Sequence, residues 1–350
     1  MSIDREPSAS LTPFSGLTPD AVLDSLDAVG LRGDGRLLQL NSYENRVFQV
    51  FLEDGSVVVP KFYRPGRWSD EQILEEHAFA TELAQAEVPV VAPLALVCDS
   101  DARMAIELSG HPPTLARSPA HRFAVSPRRA GRAPSLESME QLEWIGRFIG
   151  RIHAVGSRQP FLHRLTLSVD LLGRSSRDWL LQSGMVPPDA EPGWLGVVDD
   201  CLLAAAEAFD RAGTLQHVRL HGDCHLNNVL WTDAGPHFVD LDDAMNGPAI
   251  QDLWMLLSGD KASYRHQIDA LLRGYETMMN FDDRELGLIE ALRTLRLIHH
   301  SAWLARRWDD PAFPAAFPWF GQAAYWQQQT QVLREQLNAM RTPGYIQTSS

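Results

Sequence analysis

The sequence contains only three cysteines in 350 residues, and they lie far apart in the chain, at Cys98, Cys201 and Cys224. An odd number of cysteines without a C-x-x-C pair argues against a disulfide framework and against a cysteine-based structural zinc site. We therefore expect three reduced thiols, which suits a cytoplasmic protein.

Long apolar segments and positive charge are also scarce. No apolar run reaches the roughly 18–20 residues of a membrane-spanning helix, and the first residues lack the basic start and apolar core of a secretory signal. Lys and Arg number 31 against 45 Asp and Glu, which gives a formal charge of −14. Because nucleic-acid binding needs clustered positive charge, we expect a cytoplasmic protein without a nucleic-acid or membrane partner.

The first part of the chain alternates between strand and helix patterns. Two β-rich runs, at 46–52 and 56–63, are separated by an Asp-Gly pair, which is typical of a hairpin. Residues 69–86 carry apolar side chains at helical spacing, so we predict a helix there. Pro60 has no N–H to donate, and this predicts that its strand lies at a sheet edge or contains a bulge.

Helical patterns dominate after residue 135, where only 218–220, 229–231 and 237–241 have an extended pattern. This order predicts an α+β fold with a small β-rich N-terminal lobe, containing one main helix, and a larger, mostly helical C-terminal lobe. We place the lobes at 1–122 and 123–350. The segment 109–132 is rich in Pro, Arg and Ser, and we interpret it as a mobile insertion at the lobe connection, beginning near 109–122.

A polar loop, His221-Gly-Asp-Cys-His-Leu-Asn-Asn228, follows one of the short extended runs. Asp223 precedes Asn228 by five residues, the spacing at which kinases place the aspartate that meets the acceptor hydroxyl and the asparagine that reaches a metal ion. Asp240 follows the next pair of extended runs and would supply a carboxylate to magnesium. Together these residues predict metal-assisted phosphoryl transfer.

Lys61 lies in the third extended run of the β-rich part. In kinases a strand lysine contacts the nucleotide phosphates, and a glutamate of the following helix holds it. Glu75 and Glu76 both lie in the predicted helix. A single strand lysine is more often an edge charge, but its position ahead of Asp223 and Asp240 favours the nucleotide role.

Two other interpretations of the polar loop are open. His217, His221 and His225 recur every four residues, as zinc ligands on a helix do, so a zinc hydrolase is one alternative. Gly222 argues against a helix at this point. A nucleotide-binding protein that transfers no phosphate is the second alternative, and the intact Asp223 argues against it.

These segments resemble the aminoglycoside phosphotransferase and choline kinase superfamily, whose H-G-D-x-x-x-x-N and D-x-D motifs are similar to 221–228 and 240–242. Further segments are similar to the family of bacterial stress response kinases A, in the same order over residues 15–335. These segments are 40–47, 61–65, 73–77, 221–225, 238–244, 246–249, 251–257 and 310–314.

The resemblance implies a two-lobed, protein-kinase-like fold and a serine/threonine protein kinase of the bacterial stress response. Its cofactors would be ATP and Mg²⁺, and its partners would be proteins with Ser or Thr hydroxyls. We expect a monomer. The resemblance makes Asp223 the proton acceptor and Asp240 the second catalytic residue, with Asn228 and Asp240 as magnesium ligands.

The resemblance also implies which residues bind the nucleotide in the N-terminal lobe. Ser42, Asn45 and Arg46 would border it, in a loop where the family has no G-x-G-x-x-G. Lys61 would contact the phosphates, and Glu76 would be its partner. A kinase of the same fold for a small alcohol, such as an aminoglycoside or a choline-like compound, shares every one of these residues and is the alternative.

Overall fold

The computed structural model describes residues 13–259 and 261–342. The chain divides into two compact units. The described residues of unit 1 are 13–70, 93–128 and 308–316, and unit 2 contains those of 71–92, 129–307 and 317–342. Each unit therefore combines segments that are distant in sequence. The proposed lobe boundary between residues 122 and 123 falls inside a strand of unit 1.

The helices, in chain order, are α1 (Pro19–Asp27), α2 (Asp70–Gln85), α3 (Met139–Gly156), α4 (Ser175–Gln182), α5 (Glu191–Ala212), α6 (Gln251–Trp254), α7 (Lys261–Tyr275), α8 (Ile289–Ala305), α9 (Ala312–Ala316) and α10 (Ala323–Arg341). The strands are β1 (Gly33–Leu40), β2 (Arg46–Leu52), β3 (Val57–Phe62), β4 (Glu107–Ser109), β5 (Leu115–Arg117), β6 (Arg122–Pro127), β7 (Val218–Leu220), β8 (Val229–Thr232), β9 (Gly235–Phe238) and β10 (Met245–Gly247).

Unit 1 is built on a six-stranded antiparallel sheet in the order β1-β2-β3-β6-β5-β4. Helix α1 covers part of it and begins at Thr18, whose hydroxyl accepts a hydrogen bond from the N–H of Ala21 at 3.2 Å. The core joins the apolar sides of α1 and the strands, with Leu26, Phe62 and Phe123 fully buried. Each such side chain contributes about 1.5–3 kcal/mol through burial.

Pro60 lies in a central strand, because β3 is between β2 and β6. The prediction of an edge strand or a bulge is therefore wrong. Strand β2 pairs with Val58 and Lys61 of β3 in a single register but skips Pro60 between them, whereas β6 pairs with Pro60 through Val125. The sheet thus accommodates the missing N–H by omitting ladder pairs on one side.

The segment 109–132 was predicted to be a mobile insertion, and for most of its length this is wrong. It supplies β5 and β6, and its apolar residues Leu115, Ala116, Phe123 and Val125 are buried in the sheet. The high content of Pro and Arg concealed this alternation of apolar side chains.

Unit 2 is mostly helical, with α3 packed on α7 and α5 packed on α10. Two small antiparallel pairs, β7 with β10 and β8 with β9, carry the polar loop that the sequence analysis singled out. Among the described residues, none of the helices has the length and apolarity needed to cross a membrane. All three cysteines are free thiols, as expected.

Candidate active site

The polar loop 221–228 leaves strand β7 and enters a 3-10 turn, Leu226–Asn228, before β8. At its start Gly222 has φ +86°, and a Cβ there would lie 2.0 Å from the carbonyl oxygen of Asp243. Only glycine fits this position. The loop is therefore not a helix, and the part of the chain that the structure describes has no group of three or more His, Cys, Asp or Glu placed to hold a metal ion. The zinc hydrolase interpretation rested on histidines at helical spacing, and the loop does not provide that spacing.

Asp252, at the start of α6, holds the backbone of this loop through hydrogen bonds. Its Oδ2 accepts the N–H of His221 at 2.7 Å, and its Oδ1 accepts the N–H of Gly222 at 2.8 Å. The Nε2 of His153, on α3, donates to Oδ2 at 3.0 Å. With 1% of Asp252 exposed, this carboxylate is paired with three donors, as a buried charge must be.

Two further side chains complete the support of the loop. Gln251 donates from Nε2 to the carbonyl oxygen of Gly222 at 3.0 Å. His221, which is fully buried, donates from Nε2 to the carbonyl oxygen of Val239 at 2.9 Å. His221 thereby ties the loop to the end of the β8–β9 hairpin and acts in shaping the site.

Asp223 projects from the supported loop, with 23% of its side chain exposed. Its Oδ1 lies 2.5 Å from an NH1 donor of Arg296 on α8, and its Oδ2 lies 3.3 Å from Nε2 of His225. Burial alone would raise the pKa of Asp223, but the hydrogen bond from His225 and the charge of Arg296 outweigh it and hold the pKa well below its ordinary value. The carboxylate is therefore ionised at neutral pH.

Asn228 and Asp240 lie at the same end of the β8–β9 hairpin. Asn228 immediately precedes β8, and Asp240 follows β9 by two residues. The N–H of Val239 donates to the carbonyl oxygen of Asn228 at 3.0 Å, which closes the hairpin between them. The sequence-predicted metal ligands are thus placed on adjacent chain segments.

The donor set at this hairpin end fits a magnesium ion. Asn228 donates from Nδ2 to the carbonyl oxygen of Asp223 at 2.9 Å, which fixes the amide so that Oδ1 is the atom that can coordinate. Mg²⁺ is usually held by one or two carboxylates together with substrate phosphates and water, not by a cage of protein ligands. An Asp and an Asn therefore suffice for this ion when phosphates complete its coordination.

Asp240 adopts a left-handed backbone conformation, with φ 61° and ψ 68°. This conformation is uncommon outside glycine, and Asp tolerates it better than most residues. The turn after it, Leu241–Asp243, is held by the buried Arg164, which donates to the carbonyl oxygens of Asp242 and Ala244. These hydrogen bonds thus hold the strained backbone at Asp240, the proposed metal ligand, in place.

Glu75 and Glu76, the two candidate partners of Lys61, differ in the structure. The carboxylate of Glu75 accepts the backbone N–H groups of Leu162, His163 and Arg164. The Glu75 carboxylate therefore holds the segment that carries Arg164. Glu76 is buried, with His77 Nε2 at 3.9 Å.

Lys61 belongs to unit 1 and Glu76 to unit 2. Lys61 lies in β3, and its Nζ is 5.1 Å from the centre of the Tyr63 ring. The pairing of Lys61 with Glu76 stays a prediction.

The loop between β1 and β2 contains the other three residues expected at the nucleotide. Ser42 is half-buried. Asn45 is buried and accepts the N–H of Arg64 at Oδ1, at 3.1 Å. The guanidinium of Arg46 lies 4.5 Å from the centre of the Phe14 ring, and burial lowers its pKa. Their nucleotide contacts stay a prediction.

Arg64 holds this loop through hydrogen bonds to its backbone carbonyls. It donates from Nε to the carbonyl oxygen of Glu44 at 2.9 Å and from NH2 to that of Tyr43 at 3.2 Å. The same NH2 pairs with Asp310 at 2.8 Å, and both side chains are buried. The loop is therefore shaped by a buried ion pair that joins residues 246 positions apart.

Several residues that shape the site belong to no motif that points to this role, among them Arg296, Arg164, His153 and Gln251. Arg296 is 73 positions from Asp223, and a lone arginine in a helix carries no motif. Asp252 has a recognisable pattern, because it is an acidic residue at the start of an apolar segment twelve positions after Asp240.

The chain is similar to known phosphotransferases. The family model described as "Phosphotransferase enzyme family" matches residues 36–289. Stress response kinase A of Escherichia coli strain K12 is 44% identical over 330 residues, which cover 94% of this chain and 95% of the relative. A protein of Salmonella typhimurium strain LT2 named serine/threonine protein kinase RdoA is 43% identical over the same shares of both chains.

A solved structure supports the fold. Amicoumacin kinase, in complex with AMP-PNP, Ca²⁺ and its ligand, matches with a TM-score of 0.68 over 91% of this chain and 93% of that one. At 18% identity this likeness concerns the fold alone, and it confirms the predicted α+β, kinase-like fold. By its family match and its similarity to the stress response kinases A, the chain belongs to the phosphotransferase enzyme family and is an ATP-dependent kinase.

Proposed function

We propose that this protein is a Mg²⁺-dependent serine/threonine protein kinase of the bacterial stress response. The observation that carries the proposal is the loop 221–228, which presents an ionised Asp223 next to the hairpin end where Asn228 and Asp240 lie. Phosphoryl transfer needs a positioned hydroxyl and charge stabilisation more than covalent chemistry from the protein. The loop supplies Asp223 to position the hydroxyl, and the hairpin end supplies metal ligands for the charge stabilisation.

In the reaction, Asp223 accepts a hydrogen bond from the acceptor hydroxyl and takes its proton as the oxygen attacks the γ-phosphorus of ATP. The bond from that phosphorus to the β-bridging oxygen breaks, and ADP leaves. Asp223 is ionised before the acceptor binds, so it can orient the hydroxyl and receive its proton as the attacking oxygen becomes more acidic. Bound Mg²⁺, held by Asn228 and Asp240, would neutralise charge on the phosphate oxygens.

On the nucleotide side, we propose that Lys61 contacts the phosphates and that Glu76 orients it. The loop with Ser42, Asn45 and Arg46 would border the nucleotide through its backbone and small polar groups. The buried bonds of Arg64 to the carbonyls of this loop support that role, because they fix the loop without glycines.

The choice of a protein acceptor is supported by the relative named serine/threonine protein kinase, at 43% identity over nearly the whole chain. The amicoumacin kinase has the same fold and by its name acts on a small molecule, so the fold by itself does not choose the acceptor.

The test is incubation of the purified protein with γ-labelled ATP and Mg²⁺, in parallel with bacterial lysate proteins and with a metabolite panel. We expect label on protein, recovered as phosphoserine or phosphothreonine after acid hydrolysis, and no label when Mg²⁺ is chelated. Asp223→Ala is the catalytic control, and Asp189→Ala, at an exposed position of unit 2, is the matched control.

Two results would contradict the proposal in different ways. Label confined to metabolites would replace the protein acceptor by a small alcohol and leave the site intact. Transfer to protein by Asp223→Ala at the wild-type rate would remove the proposed catalytic role of this loop.

A further inference from the structure

Arg296 is the cation nearest to the proposed catalytic carboxylate, and it does not belong to the loop. It lies on α8, between the buried residues Leu295 and Ile298, so its backbone position is fixed by the core of unit 2. Its side chain is 43% exposed, and its NH1 contacts Oδ1 of Asp223 at 2.5 Å. The rigid helix thus delivers a long, partly solvated side chain to the catalytic loop.

This ion pair has little use as a structural element. Pairs between partly exposed Arg and Asp stabilise a fold by about 0–1 kcal/mol, whereas the loop already has its support from the buried Asp252. The pair nevertheless occupies an oxygen of Asp223, and His225 approaches the other at 3.3 Å. An acceptor hydroxyl that binds Asp223 must therefore share or displace one of these donors.

The loop 221–228 contains no lysine or arginine that could place a permanent positive charge beside Asp223. Many protein kinases place a lysine two residues after the catalytic aspartate, where this chain has His225. The Nδ1 of His225 accepts the N–H of Asn227 at 3.1 Å, which turns Nε2 toward Asp223. A guanidinium is always charged and presents several donors in a plane that matches phosphoryl oxygens.

We propose that Arg296 is a further catalytic residue, whose guanidinium moves from Asp223 to the transferring phosphoryl group when the acceptor hydroxyl binds. This rests on the proposed function. The phosphorus must come within bonding distance of the hydroxyl that Asp223 holds, so a side chain already in contact with Asp223 is within reach of the phosphoryl oxygens. The guanidinium then stabilises the charge on these oxygens as the bond to ADP breaks, and the hydroxyl proton goes to Asp223.

The experiment measures ADP release in steady state with ATP, Mg²⁺ and either dephosphorylated casein or a mixture of small alcohols as acceptor. The variants are Arg296→Met, Arg296→Lys and Arg296→Ala, the last also with added guanidinium ion. Arg174→Met is the matched control, because Arg174 is 45% exposed and pairs with the aspartate four residues before it, Asp170, and not with Asp223. Circular dichroism and thermal melting of each variant establish that it is folded.

We expect Arg296→Met to lower kcat roughly 100-fold or more, with the KM for ATP changed by less than about twofold. Arg296→Lys should retain part of the rate, guanidinium ion should restore part of it to Arg296→Ala, and Arg174→Met should behave as wild type. A wild-type kcat in Arg296→Met overturns the inference alone. A lost kcat that neither lysine nor guanidinium ion restores assigns Arg296 a structural role and overturns it as well.

The failure of the proposed function is a separate result. If wild type releases no ADP with either acceptor, or if Asp223→Asn releases it at the wild-type rate, the proposed site falls and the role of Arg296 falls with it.

Discussion

Replacing Asp252 with asparagine is a stringent test of how the catalytic loop is held. The substitution preserves size and shape but exchanges one acceptor oxygen for a donating NH₂ group. Three donors point at this side chain: the backbone N–H groups of His221 and Gly222, and Nε2 of His153. Asparagine offers them one acceptor oxygen.

Neither orientation of the new amide satisfies the loop. If the oxygen serves His221 and His153, the NH₂ group faces the N–H of Gly222. If the amide is turned, the NH₂ group faces the N–H of His221, although His153 can change tautomer and accept from it. One buried backbone N–H is unpaired in either case, at a cost of about 1–3 kcal/mol, and the remaining bonds lose the contribution of the negative charge.

We therefore expect the free energy of unfolding of Asp252→Asn to fall by about 2–4 kcal/mol, which a domain of typical stability survives. The loop should also shift, and a displacement near 1 Å can lower kcat about 100-fold. Urea denaturation followed by tryptophan fluorescence, together with steady-state kinetics, measures both, with Asp189→Asn as the exposed control. Wild-type stability and kcat in Asp252→Asn would show that these hydrogen bonds do not hold the catalytic loop.

Three further predictions follow from other contacts. Gly222→Ala should fold poorly or lose activity at least about 100-fold, because its Cβ would lie 2.0 Å from the carbonyl oxygen of Asp243; a soluble, fully active variant would contradict the loop geometry. Arg64→Met removes the hydrogen-bonded cation of the buried Asp310 and leaves it the charge of Arg46, so the free energy of unfolding should fall by about 1–3 kcal/mol and the KM for ATP should rise; an unchanged KM would show that this loop has no part in nucleotide binding. Burial raises the pKa of Glu285 from 4.5 to about 7, so the folded protein retains a proton that the unfolded chain releases between these values, and stability falls as pH rises through this window. Across this window the free energy of unfolding of Glu285→Gln should fall by up to about 3 kcal/mol less than that of wild type. The same pH dependence in both proteins would exclude this titration of Glu285.

Much of the local structure could be predicted from the sequence, because it depends on short-range patterns. Helix α2, strands β2 and β3 on either side of an Asp-Gly turn, and strand β7 before the polar loop follow from helical spacing, turn chemistry and extended patterns. Spacing in the chain could also select the candidate site residues Asp223, Asn228 and Asp240, because they follow one another in the same order around one hairpin.

What could not be predicted depends on contacts between distant segments. Pro60 indicated an edge strand or a bulge, yet its partner in β6, Val125, lies 65 positions later and makes the strand of Pro60 central. Arg64 with Asp310, and Asp223 with Arg296, pair across 246 and 73 positions. A single sequence carries no periodic signal for such pairs, since each partner is an ordinary charged residue in its own segment.

The role of Asp223 as proton acceptor is tested by comparing nucleotide binding and phosphate transfer in wild type and Asp223→Asn. Isothermal titration with a non-hydrolysable ATP analogue and Mg²⁺ measures nucleotide binding, and label transfer to the acceptor measures phosphate transfer. We expect Asp223→Asn to bind the analogue within about threefold of the wild-type affinity and to transfer phosphate roughly 100- to 10,000-fold more slowly, the contribution of a positioned base. A transfer rate within about tenfold of wild type would contradict this role of Asp223.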